Sequence, residues 1–242
     1  MLNSAEDVED CLIRCLKGRE LIYSFLGRIY EKEVDEKILK NYLVCKENFV
    51  KYGLMADLDV NVREGFQQLY RYFNRLDEQN LSEAVVELAM DYANLFLGLK
   101  YFREKKGIPH PSESVYTAGD MYQKEAVEAF RTYLDAGLVK AEDFGEPEDH
   151  VALQLYFMEH LCRKAAAFLK DKNFHELMKN LERQKKFLEE HLLKWVPKLA
   201  SDVVENAETE FYKAVGRITK GFLTMEEGVI KELIEQTEKI KS

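Results

Sequence analysis

Apolar residues recur along this chain at intervals of three and four, and strict alternation of apolar and polar positions is nearly absent, a pattern that predicts helices throughout. A first helix, capped by Ser4, turns Val8, Cys11, Leu12, Cys15, Ile22, Phe25 and Ile29 inward. A second covers residues 35–52, a third buries Phe66, Leu69, Tyr70, Phe73 and Leu76, and a fourth opens at Ser82 with Val85, Leu88, Ala89, Tyr92, Leu95, Phe96 and Leu99 as its apolar side. Residues 100–117, broken by Gly107, Pro109 and Pro111, predict one long irregular stretch. A fifth helix with Met121, Val127, Phe130 and Leu134 on its apolar side stops at Gly137, and residues 138–145 form a second connector.

Beyond it Val151, Leu155, Met158, Cys162, Ala165, Ala166 and Leu169 mark a core helix. Helices over 173–193, 197–222 and 225–240 complete the pattern, with Trp195-Val196-Pro197 as a boundary. The expectation is an all-α fold, one globular domain over residues 1–242 of about nine helices. Two subparts, about 1–137 and 146–242, would be joined by a hinge near 138–147.

The run Glu146-Pro147-Glu148-Asp149-His150 stands directly before the core helix. Proline in a first helical turn loses nothing by lacking its N–H, and carboxylates there face the positive end of the helix dipole, so the run reads as a helix start. Capping alone does not account for His150, because a cation at that end is unfavourable. An imidazole and a carboxylate are thus expected at the rim of the core, close to the irregular stretches.

With 35 Lys and Arg against 44 Asp and Glu, the net charge is −9. That balance disfavours nucleic acid and an anionic membrane surface as partners and suits a basic peptide. The start of the chain, Met1 to Asp7, has neither the basic region nor the apolar stretch of a secretory signal, which predicts a cytoplasmic protein. The richest apolar run, residues 84–99, is interrupted by Glu87, Asp91 and Asn94, so no stable membrane insertion is expected. Cys11, Cys15, Cys45 and Cys162 lack paired spacing and read as small core residues.

No phosphate-binding glycine loop, dinucleotide fingerprint or His-Glu-x-x-His motif occurs. Glu146, Asp149, His150, Glu159, His160 and Cys162 are the remaining candidates for a metal. Helical rise separates Asp149 from His160 by roughly 16 Å, and His150 and His160 point about 80° apart, so no metal site and no cofactor is expected. His110, His175 and His191 read as solvated surface histidines. Tyr92, Phe96 and Tyr116 lie next to irregular backbone and are expected to be partly exposed.

Four pieces in this order resemble the TorD-like chaperones of molybdoenzyme maturation, the TorD, DmsD and NarJ type. They are Asp91-Tyr92-Ala93-Asn94-Leu95-Phe96, Pro111-Ser112-Glu113-Ser114-Val115-Tyr116, Glu146-Pro147-Glu148-Asp149-His150, and His191-Leu192 with Trp195-Val196-Pro197 before Phe211-Tyr212. The resemblance implies a cytoplasmic redox-enzyme maturation chaperone. It would bind the N-terminal leader, often of twin-arginine type, of a molybdopterin oxidoreductase catalytic subunit until its cofactor is inserted. It also implies a leader-binding region at Glu146, Pro147, Asp149 and His150, with Tyr92, Leu95, Phe96, Pro111, Ser114 and Tyr116 lining it. Asp149 would face the leader's arginines, oriented by a hydrogen bond from His150.

Two other classes compete on the residues alone. One is a metal-dependent enzyme using Glu146, Asp149 and His150; the other is a helical regulatory scaffold in which the Asp-His pair is only a cap. A monomer or a swapped homodimer is compatible with a helical chain carrying a hinge.

Overall fold

The computed structural model describes residues 5–53, 58–98 and 109–241, and these are helical with one isolated bridge between Ser112 and His150. Chain order runs α1 (Ala5–Glu31), α2 (Glu36–Val44), α3 (Lys46–Gly53), α4 (Val60–Phe73), α5 (Leu81–Phe96), α6 (Glu113–Thr117), α7 (Lys124–Asp135), α8 (Val151–Lys170), α9 (Phe174–Phe187), a π turn (Leu188–Leu192), α10 (Leu193–Asn206) and α11 (Glu210–Lys241). The expected all-α class holds. Ser4, Leu99 and residues 100–108 of the irregular stretch lie outside the described residues.

Several boundaries differ from the sequence pattern, each for a local reason. The segment expected as one helix over 35–52 divides at Cys45, whose N–H turns back to the Asn41 carbonyl at 3.2 Å; Asp35 caps its first half by accepting from the Ile38 N–H at 2.8 Å. Helix α7 starts at Lys124, and its inner face is Ala126, Ala129 and Tyr133, whereas Val127, Phe130 and Leu134 stand outward at 39–48% exposure. It does stop before Gly137, which takes φ 75° while the Leu138 N–H closes onto the Tyr133 carbonyl. The break read near residue 223 does not exist: α11 runs unbroken from Glu210 to Lys241, and the Thr224 hydroxyl simply donates back to the Lys220 carbonyl.

Pro197 lies inside α10 instead of bounding it. One turn upstream the chain widens into the π turn, where the Leu193 N–H reaches the Leu188 carbonyl five residues back. The real interruption falls at 207–209. There the Asp91 carboxylate of α5 accepts from the Glu208 and Thr209 N–H groups, the latter at 2.8 Å, and from the Thr209 hydroxyl at 2.6 Å. This remote carboxylate serves the orphan amides that start α11.

Helix α1 lies along α8, and α11 packs on α4 and α10, so residues from both sides of the 138–147 connector enter one apolar cluster. Closest approach depends on glycine: a Cβ at Gly65 would stand 2.6 Å from Ile218 Cγ1 and 2.9 Å from the Ala214 carbonyl oxygen. Through this core runs a polar thread that periodicity does not announce. Arg19 of α1 binds Glu226 of α11 and donates to Gln184 of α9 at 2.7 Å, and Tyr23 donates its hydroxyl to the same Glu226.

Of the cysteines, only Cys162 is buried; Cys15 is half-buried and Cys11 and Cys45 are exposed, contrary to the expectation of four core thiols. Cys45 stands at the break between α2 and α3, and Cys11 is an exposed position of α1.

Candidate functional site

The two irregular stretches meet. Lys140 donates to the Glu146 carbonyl at 2.7 Å and pairs with Glu148 at 3.1 Å, while the Tyr133 hydroxyl donates to the Glu148 carbonyl, and these bonds fold the connector after α7 against the start of α8. Residues 111–114 then dock on residues 149–151: the Val151 N–H donates to the Pro111 carbonyl at 2.8 Å and the Glu113 N–H to the Asp149 carbonyl at 3.2 Å. The Asp149 side chain is fully buried, and its Oδ2 accepts from the Ser114 N–H at 2.8 Å.

The helix begins at Val151, so the Glu-Pro run precedes it rather than forming its first turn. His150 is the N-cap: its Nδ1 accepts from the Ala152 N–H at 3.2 Å. An accepting Nδ1 requires a neutral ring, and burial, with the neighbouring His110, holds the His150 pKa down at about 3. Capping therefore does account for this histidine, since no cation faces the helix dipole. The expected bond from His150 to Asp149 is absent: His150 Nδ1 takes the Ala152 N–H and Asp149 Oδ2 the Ser114 N–H, and Asp149 Oδ1 has no partner.

Four polar atoms at this seam are buried with no hydrogen-bond partner: Asp149 Oδ1, Ser112 Oγ, Ser114 Oγ and His110 Nδ1. Such a concentration is unusual in a folded protein, where buried polar atoms are nearly always paired. His110 is half-buried, and burial lowers its pKa against the opposing pull of Glu146 and Asp149.

Behind the seam lies a network that sequence reasoning missed. The Glu113 carboxylate, 2% exposed, meets His191 Nδ1 at 2.8 Å and accepts from the Gln154 amide at 2.6 Å, and Gln154 in turn accepts from the Trp195 indole N–H at 3.1 Å. His191 is buried, not solvated as its polar neighbours in sequence suggested: it lies in the π turn between buried Leu188 and Trp195, with its ring 4.7 Å from that of Phe187. Its sequence signals were the place of His191-Leu192 in the ordered motif set and its helical spacing from Leu188 and Trp195.

The other expected site residues fall into two groups. Pro111, Ser114, Pro147, Asp149 and His150 are buried together at the seam, and Glu146 is exposed beside it. Tyr92, Leu95 and Phe96 of α5 are core residues, so Tyr92 and Phe96 are not partly exposed as expected: Tyr92 donates to the Tyr30 carbonyl at 3.2 Å, and Phe96 packs edge-on to Tyr30 at 5.6 Å. The charge of Glu146 acts on both Tyr92 and His110, so the end of α5 adjoins the seam around that carboxylate. Tyr116 is half-buried, its ring tilted against that of Trp195 at 5.5 Å, and donates to Asp202 at 2.9 Å.

Among the described residues, no group of three or more His, Cys, Asp or Glu is arranged to hold a metal ion, and no helix is long and apolar enough to cross a membrane.

The profile of the family described as nitrate reductase delta subunit matches residues 55–201. Chaperone protein TorD of Vibrio cholerae is 30% identical over 90% of this chain and 94% of its own length. Those of Vibrio parahaemolyticus, 27% identical over 86% and 92%, and Shewanella pealeana, 26% identical over 83% and 84%, are similar as well. With helices throughout, the motifs at 111–116 and 146–150 docked on one another and these relatives over nearly its whole length, the chain belongs to the TorD-like family and is a redox-enzyme maturation chaperone acting on molybdoenzyme subunits, not an enzyme itself.

Proposed function

We propose that this chaperone works in the cytoplasm by holding the N-terminal leader of a molybdopterin oxidoreductase catalytic subunit at the seam between residues 109–116 and 146–150. The observation that carries the reading is the set of four buried, unpartnered polar atoms at Asp149, Ser112, Ser114 and His110. Leaving them unpaired costs free energy that an incoming peptide's N–H and O–H groups would recover. Asp149 Oδ1 is the acceptor for a leader arginine, while Oδ2 stays with Ser114. Pro111, Pro147 and Tyr116 form the near wall, and Tyr92, Leu95 and Phe96 supply the apolar floor reached once Glu146 and the 138–147 connector swing aside.

That connector is the hinge of the proposal, with the chain acting as one domain whose parts, 1–137 and 146–242, stay packed when closed. The same hinge permits a monomer or a homodimer in which the parts are exchanged between copies.

The test is affinity capture from the native cytoplasm with this protein as bait. Recovery of a molybdopterin oxidoreductase catalytic subunit, lost when its leader is deleted and weakened by Asp149→Asn, is the expected result. Capture that survives leader deletion would sink the leader reading.

A further inference from the structure

A chain of net charge −9 gathers cations at one place outside the seam. The end of α7 and facing stretches of α8 and α9 enclose a cleft of about 300 Å³, lined by Lys164, Lys179 and Arg183. Other lysines of this protein pair with a carboxylate one turn away, as Lys40 does with Glu36 at 2.6 Å, Lys231 with Glu227 at 2.6 Å and Lys186 with Glu190 at 3.9 Å. Among the described residues, Lys164, Lys179 and Arg183 have no ion-pair partner; Arg183 spends one N–H on the Asp135 carbonyl at 3.2 Å. The cleft has two carboxylates of its own, Asp135 and Glu176. Glu176 lies in the first turn of α9, where it answers the helix dipole, and Asp135 ends α7.

Asn180 is the independent observation. It lines the cleft and is only 6% exposed. Arg19 can only donate, so Gln184 turns Oε1 to it at 2.7 Å and presents its amide N–H to Asn180 Oδ1, also at 2.7 Å. That chain of bonds, anchored in the core by Glu226, leaves Asn180 with its Nδ2 donors facing the cleft, and they donate to nothing among the described residues. The positive field reaches His160 on the same wall, whose pKa is lowered by burial and by the charges of Arg163 and Lys164.

We propose that this cleft binds an acidic protein segment, with one carboxylate between Lys164 and Lys179 at the Asn180 amide and a second against Arg183. Sites built for phosphate use main-chain N–H groups at a helix N-terminus or a glycine loop. Here every donor is a side chain, and Lys179 and Arg183 stand one turn apart along α9, which fits carboxylates spaced along a peptide. No seam residue lines this cleft, so the site does not depend on where a leader binds.

The experiment is an NMR titration of the full nitrogen-labelled chain at low salt with N-acetyl-Glu-Glu-Glu-Glu-amide, with its neutral counterpart N-acetyl-Gln-Gln-Gln-Gln-amide and with inorganic phosphate. The acidic peptide is expected to shift amides within residues 160–183 together with the Asn180 side-chain resonances, and to bind at least tenfold more tightly than either control ligand. Its affinity should fall at least tenfold in Lys164→Gln/Lys179→Gln, two exposed positions. It should be unchanged in Lys40→Gln/Lys231→Gln, which removes the same charge from other helices. Shifts that spare residues 160–183, phosphate binding as tight as the peptide's, or equal loss in the control pair would each overturn the proposal. Should the double variant fail to fold, the Asn180 side-chain resonances of the parent decide the matter, because a peptide bound elsewhere would leave them unmoved.

Discussion

Arg19 and Glu226, 207 residues apart in sequence, meet side-on in the core: the Arg19 Nε donates to both carboxylate oxygens at 2.8 and 3.0 Å and Nη2 to Oε2 at 2.7 Å, with the side chains 4% and 1% exposed. This pair fastens α1 to α11, and removing one partner leaves the other as an uncompensated buried charge. Glu226→Ala is expected to destabilise the protein by about 3–5 kcal/mol in urea denaturation. A loss below 1 kcal/mol would mean that water or Gln184 takes over the guanidinium.

His150 makes stability depend on acid. Its pKa lies near 3 in the folded protein against an ordinary 6.5, so the unfolded chain binds the proton more readily. The stability this contributes is complete above pH 6.5 and is lost progressively as the pH falls toward 3. His110, lowered in the same direction, adds to the slope. In His150→Asn, which keeps a side-chain acceptor at the N-cap, the slope of unfolding free energy between pH 6.5 and 4 should flatten; an unchanged slope would remove His150 as its source.

Asp149 can be taken apart by size and charge. Asp149→Ala orphans the Ser114 N–H inside the seam and is expected to cost about 1–3 kcal/mol. Asp149→Asn retains an acceptor of the same shape and should fold with a melting temperature close to the parent's. Chemical denaturation of the two variants side by side checks the difference, and equal destabilisation would show that charge rather than the bond to Ser114 matters to folding.

The thiols should separate by reactivity. Burial pushes the Cys162 pKa up to about 12 and raises that of Cys15, whereas Cys11 and Cys45 are exposed. Iodoacetamide near pH 8, followed by peptide mapping, should label Cys11 and Cys45 first and leave Cys162 untouched until the chain unfolds. Early labelling at Cys162 would contradict its packing under Gln184.

The helical class was legible because apolar spacing near 3.6 is a local signal, and so was the stop at Gly137, where one residue type does the work. What escaped the sequence depends on distant partners. Nothing near Asp91 says that it will start a helix at Glu210, and nothing near Glu113 announces His191. Periodicity also treats Val127, Phe130 and Leu134 as inward, because they outrank Ala126 and Ala129 in hydrophobicity; close packing of α7 prefers the small residues. At the seam, the motif containing Asp149 and His150 was visible as an oddity. Only the resemblance placed Ser114 beside it; the bonds to residues 112–114 were not legible in the residues themselves, because a proline-broken stretch carries no periodic signal.

The π turn fixes a phase. An extra residue in a helix shifts everything downstream by about 100° about the axis, so residues 174–187 and 193–206 follow one another with their buried faces out of step by that amount. Shortening residues 188–192 by one would restore a regular α-helix. Relative to the packing upstream, it would swing Trp195 away from Gln154 and carry Val196 and Leu199 toward water. The length of this turn, more than the identity of any residue in it, therefore keeps the second half of the molecule in register with the first.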